Sequence, residues 1–241
     1  MDTVDGQWIM RGLSRDDPNR IKNADELITL IDEVGFLPLF ETKVPGFSVE
    51  ERTCSWDWWS GDPEKDPWEW RERIAESGRA VYGHFFDRKA GFVSLKMFPK
   101  FMNVRRDGYP FDAYWDDGLA SFREKKIMDC LPLGKSMFST ELKIAAGFGK
   151  GGEKNFSGTV AGLMHKTYLC VACYRRRVNR QGYPYGWPIG VYTAPETLFG
   201  EAFLEPGYEN DPEQDKAALT DLLQKQYPGA ERSLLEKYIG G

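Results

Sequence analysis

Residues 54–73 hold five of the chain's eight tryptophans, Trp56, Trp58, Trp59, Trp68 and Trp70, together with the carboxylates Asp57, Asp62, Asp66 and Glu69. Aromatic side chains can stack a nucleobase flipped out of a duplex, and a neighbouring carboxylate can orient a water. A sugar site draws on the same residue types, with paired carboxylates flanking the scissile bond. Trp58, Trp59, Trp68 and Trp70, joined by Tyr82 and His84, are therefore candidate pocket walls, with Asp62 and Glu69 as candidate catalytic groups. The competing reading is structural. Tryptophans nucleate cores, and the Asp-Pro pairs at 62–63 and 66–67 cap turns and helices.

A second candidate is electrostatic. Twelve of the 32 Lys and Arg residues fall within residues 121–180, against four carboxylates, a local balance of +8 in a chain of net charge −5. One basic segment in an acidic chain suits an anionic partner, DNA before others. Lys150, Lys154, Asn155, Ser157, His165, Arg175, Arg176, Arg177 and Arg180 are the candidate DNA contacts. A solvated positive face, or a module that binds a protein partner, is the plainer alternative.

Other chemistry is narrower. Cys170 and Cys173 have metal-ligand spacing, but residues three apart on a strand point to opposite faces, so no metal site is expected. The glycines at 147, 149 and 152 fit a dinucleotide-loop pattern that here follows a helix instead of a strand, which removes its mechanism. No cofactor is expected. Reduced cysteines, the lack of a long apolar run and an N-terminus without a basic-then-apolar pattern predict a cytoplasmic protein with no membrane span.

These groups need elements to position them. Residues 1–22 read as a polar arm. Asn23 and Glu26 form a capping-box pattern ahead of an apolar stripe, Leu27, Ile28, Leu30, Ile31 and Val34, that ends at Gly35. Residues 36–40 read as an apolar turn or a buried segment. Asp66 and Pro67 start a short helix. Residues 80–86 and 90–97 read as two strands, and 103–114 as a polar connection towards a boundary near Gly118. Residues 119–131, 139–146 and 155–166 read as three helices. An alternating strand over 168–174, a basic hairpin tip over 175–182, and a return strand carrying Trp187, Ile189 and Val191 follow. That order predicts a winged helix-turn-helix. The outer face of its third helix, Gly158, Ala161, Gly162 and His165, has no side-chain array to read base edges. Two helices, 216–226 and 230–238, close the chain, and no internal repeat is visible.

Three stretches resemble the AlkZ/YcaQ-like DNA glycosylases, and the compact AlkZ-related branch in particular. They are the helix running into Val34 to Phe40, the pair Tyr82 and His84 leading to Phe92, Leu95 and Pro99, and the winged helix ending at Tyr192. The resemblance implies winged-helix modules, DNA as partner and a role in DNA repair. It also implies a Gln-x-Gln or Gln-x-Asp pair just after an early helix, a place that falls on Pro38 and Phe40 here. Neither side chain can activate a water or stabilise a developing cation. The expected fold is α+β: an arm over 1–22, an α+β portion over 23–118 that could itself be winged-helix-like, a winged helix over 119–200, and an acidic linker with helices over 201–241. The expected function is DNA binding through the backbone, largely independent of sequence. An enzyme or binding protein acting on a base, nucleoside or sugar in the Trp/carboxylate pocket, and a winged helix that binds protein, remain as alternatives.

Overall fold

The computed structural model describes residues 2–4 and 7–241; the arm's Met1, Asp5 and Gly6 lie outside the described residues. Strands β1 (Asp2–Val4) and β2 (Gln7–Ile9) form a two-stranded hairpin. Beyond it the arm is clamped. Leu13 N–H donates to Thr53 O and Ile21 N–H to Arg52 O, each at 2.8 Å. Gly12 permits the approach, since a Cβ there would sit 2.4 Å from Thr53 O.

Helix α1 (Ala24–Val34) starts at the expected cap, with Asn23 accepting the Glu26 N–H, and stops at Gly35. Its apolar stripe is buried. Of the two readings of residues 36–40, the buried segment holds: they contribute strand β3 (Phe36–Pro38), buried at every position and so without alternation. Pro38 is tolerated because β3 is an edge strand. Helices α2 (Val49–Arg52) and α3 (Pro67–Ser77) follow, then strands β4 (Ala80–Phe86) and β5 (Lys89–Ser94). The strand order is β3-β5-β4, all antiparallel.

Helix α4 (Phe98–Arg106) and α5 (Phe111–Asp116) replace the expected polar connection. Arg105 and Arg106 make α4 look polar in sequence, yet both are buried. Then come α6 (Phe122–Met128), β6 (Ser136–Phe138), α7 (Ser139–Ala145), α8 (Phe156–His165), β7 (Cys170–Val178) and β8 (Pro184–Thr193), with strand order β6-β8-β7. The two halves therefore share one plan: helix, short strand, two helices, two long strands, with the third strand central. The repeat is topological and leaves no repeat in the residues.

The acidic stretch after β8 is not a bare linker. It forms α9 (Pro195–Phe199), α10 (Glu201–Leu204) and a 3-10 turn ahead of α11 (Pro212–Gln226) and α12 (Arg232–Gly240). One apolar core joins Leu27, Ile31, Trp70 and Tyr82 to Ile127, Leu142, Leu163 and Tyr168, and so runs through residue 118. A second packs Phe36, Phe85 and Phe101 under Leu219, Leu223 and Ile239 of the C-terminal helices. Among the described residues, no helix is long and apolar enough to cross a membrane, and no cluster of His, Cys, Asp or Glu could hold a metal ion.

Candidate nucleic-acid interface

The tryptophan segment folds inward. Trp58 and Trp70 are buried. Their indole N–H groups donate to Thr53 Oγ1 (2.9 Å) and Glu64 O (3.1 Å), as buried tryptophans require. Phe40, Trp58, Trp59 and Trp68 stack in a ring of neighbours with centroids 5.8–6.3 Å apart. Asp66 is buried as the cap of α3, accepting the Trp68 N–H at 2.9 Å; burial raises its pKa, and backbone N–H groups of Trp68, Trp59, Gly61 and Ser60 oppose the rise. Asp62 is tied to Lys65 (2.9 Å), which holds its carboxyl below the usual range. Tyr82 is buried against Phe92 and Tyr174, and burial, then Arg71, lowers the pKa of half-buried His84. Glu69 is half-buried on α3. The expected pocket walls Trp58, Trp70 and Tyr82 are thus core. Trp59 is partly exposed, and Trp56, which was not singled out, is 78% exposed.

Helix α3 is held on its other side by β7. Arg71, buried, lies 3.7 Å over the Trp68 ring and 4.3 Å over that of Tyr174 on β7. Arg175 donates to Glu76 of α3 at 2.7 Å, lowering the Glu76 pKa. Glu69, Glu72 and Glu76 reach solvent on α3 together with Arg73, which Glu64 binds at 2.9 Å, so the helix carries a net negative charge, the wrong sign for DNA.

The basic candidates separate in the same way. Lys150, Lys154, Asn155, Ser157, Arg176, Arg177 and Arg180 are exposed. Asn155 precedes α8 in the left-handed region (φ 66°), and its side chain makes no cap bond. His165 is not a free contact. It sits between the halves, with its Nδ1 3.0 Å from Phe85 O and both ring nitrogens about 3 Å from Arg105 Nη1. Burial and then Arg105 push its pKa down to about 4. Arg105 itself has no carboxylate bond; it donates to Phe85 O (3.0 Å) and Tyr238 O (2.8 Å), and burial lowers it to about 9.

The hairpin of β7 and β8 departs from strict alternation. Arg175 pairs with Ile189 and Arg177 with Tyr185, so Arg176 alone opposes Gly186, Trp187 and Pro188. Gly186 takes φ +73° at this bulge. Trp187, which alternates with Ile189 and Val191 in the sequence, is 88% exposed, and bulges re-aim side chains. Tyr183 (68%) and Tyr185 (50%) join it beside Arg176, Arg177 and Arg180. Their signal was present in the sequence as aromatics at every second position.

Two concave features lie elsewhere. A cavity of about 800 Å³ is lined by Phe111, Tyr168 and Tyr208, with Asp112, Asp129, Glu196, Glu201 and Glu205 and no Lys or Arg, a charge unsuited to a phosphate backbone. A cleft of about 160 Å³ is lined by Pro38, Phe40, Glu41, Thr42, Lys43, Lys89 and Tyr238, among others.

A family model described as AlkZ related matches residues 21–240. The chain belongs to the AlkZ-related family. No curated protein and no solved structure matches it. Membership suggests a DNA-binding or glycosylase-like role. In this AlkZ-related protein the small cleft opens beside Pro38 and Phe40, the place where the resemblance put the catalytic pair. Pro38 is committed to pairing with Gly91, and Phe40 to the tryptophan ring stack. Neither side chain brings a polar atom to the cleft.

Proposed function

We propose that the chain is a cytoplasmic DNA-binding protein made of two winged helices, over 23–118 and 119–200, that grips the phosphate backbone with little reading of base sequence. The observation that supports it best is the β7–β8 hairpin. Arg176, Arg177 and Arg180, on β7 and in its turn, are exposed there together with Tyr183, Tyr185 and Trp187 of the return limb. Guanidinium groups pair with phosphates, and aromatic faces stack on bases of any identity. The exposed part of α8 offers Asn155, Ser157 and glycines, too little to discriminate base edges. Base excision through the family's paired side chains is not part of this reading, because Pro38 and Phe40 stand in their place.

Fluorescence anisotropy with a labelled duplex tests the proposal. Each lost phosphate contact flattens the slope of log affinity against log salt by about 0.9, so replacing Arg176, Arg177 and Arg180 with Ala should remove about 2.7. Between 50 and 200 mM salt the deficit then shrinks roughly 40-fold. An unchanged slope would place the binding face elsewhere. Incubation with alkylated duplex, with Asp62→Asn and Glu69→Gln as controls, checks excision; release of a base by the parent protein would overturn that half of the reading.

A further inference from the structure

A shallow groove of about 240 Å³ lies along α8, between Asn155, Gly158 and Gly162 of that helix, Arg123 of α6, and Arg88 from the turn between β4 and β5. Gly158 and Gly162 are one turn apart and share a face. A mid-helix glycine costs about 1 kcal/mol relative to alanine. Packing within the chain does not demand one at 162, where an added Cβ would meet nothing within 4 Å. At Gly158 the Asn155 side chain takes the place of a Cβ, with its Oδ1 2.4 Å away, so the lane of bare helix backbone that an extended ligand can approach closely lies at Gly162.

Three basic residues, Arg88, Arg123 and Lys166, line the groove against one carboxylate, Glu124. Lys166 is matched by Glu124 at 2.8 Å, and Arg123 shares Glu153 at 2.9 Å. Arg88 has no hydrogen-bond or carboxylate partner among the described residues; its neighbour Asp87 is taken by Lys237 at 2.9 Å. The turn that carries Arg88 is tight, with Asp87 and Arg88 both at positive φ (49° and 62°). This turn is the first unit's counterpart of the β7–β8 hairpin, and it places its arginine at the second unit's third helix. The C-terminal end of α8 is meanwhile held at the seam through His165, so the whole helix cannot enter a major groove.

We infer that a DNA phosphodiester backbone lies along this groove, flanked by Arg88 of the first unit and Arg123 of the second. Both units would then contribute to one surface. The inference rests on the DNA-binding reading above and deepens it.

The test compares Arg88→Ala and Gly162→Gln with the parent and with the hairpin triple alanine variant, using a labelled 20-base-pair duplex in 50–200 mM salt. Arg88→Ala should weaken binding across sequences and flatten the salt slope by about one. Gly162→Gln should block the lane and reduce affinity about tenfold, equivalent to about 1.4 kcal/mol. Its melting temperature should hold or rise, since glutamine favours helix over glycine. Parent-like binding by both variants would overturn the groove. If the hairpin variant alone loses affinity, the groove fails and the hairpin reading stands. If the parent binds no duplex, both fall.

Discussion

Removing Glu196 should expose how the second unit is fastened to the rest. Arg106 of α4 is 3% exposed. Its Nη1 donates to Glu196 Oε1 at 2.5 Å and to the Tyr208 hydroxyl at 2.6 Å, and its Nη2 to Thr167 O at 2.8 Å; the guanidinium also lies 4.6 Å over the Tyr168 ring. Glu196 and Tyr208 hold Arg106 protonated against its burial. In Glu196→Ala the hydroxyl and carbonyl remain, but no carboxylate faces the cation. Stranding a buried charge costs about 3–5 kcal/mol. The Glu196 side chain is one-quarter exposed, so water can replace part of it, which favours the lower end. For 241 residues, unfolding entropy is about 0.5 kcal/mol per degree, so about 3 kcal/mol lowers the melting temperature by about 6 °C. Denaturant unfolding followed by tryptophan fluorescence should show that loss with an unchanged m-value. The double variant Arg106→Met, Glu196→Leu should recover much of it, because apolar replacements strand no charge. A loss under about 1 kcal/mol for Glu196→Ala would refute the assignment of Arg106 as a buried cation that depends on this partner.

Two further outcomes follow from burial. Trp70→Ala should cost about 3–5 kcal/mol, while Trp56→Ala stays within about 0.5 kcal/mol; comparable effects on denaturation midpoints would mean that the segment is not core. His165 is neutral in the fold, with its pKa lowered to about 4, and the unfolded chain takes up a proton from about 6.5 downward. Its contribution is therefore intact above pH 6.5 and is lost as pH falls towards 4. His165→Gln should remove part of that loss between pH 7 and 5, His84 contributing with the same sign. Equal pH sensitivity in the parent and the His165 variant would reject the seam as a titrating contact.

Local signals were legible in the residues, and long-range ones were not. The cap at Asn23, the stop at Gly35, the start at Asp66 and Pro67, and the end of the second unit's third helix are all decided within a turn of chain. Strands β3 and β6 are three residues each and owe their existence to β5 and β8, which come 53 and 48 residues later by first-residue number. No local periodicity can reveal a three-residue strand, and without those two strands the repeated plan is invisible. Helix α4 was hidden by Arg105 and Arg106, whose partners are contributed by β4, the 167 turn and the C-terminal segments. The hairpin arginines were readable as charge. The exposure of Trp187 was not, because it depends on a three-against-one bulge.

The same plan used twice leads to opposite uses of the third helix. In the first unit α3 is enclosed, by its own tryptophans on one side and by β7 on the other, and it shows solvent Glu69, Glu72 and Glu76 beside Arg73. In the second unit α8 keeps its N-terminal part open, beside a basic loop. The contact that separates these fates is the one between α3 and β7, where Arg71 is sandwiched between Trp68 and Tyr174, and Arg175 binds Glu76. Arg175 is thus occupied in fastening the hairpin to the first unit, which leaves Arg176, Arg177 and Arg180 to carry the free charge. The chain's negative groups gather on α3, around the large cavity and on the C-terminal helices, which leaves the turn end of the bulged hairpin basic and aromatic.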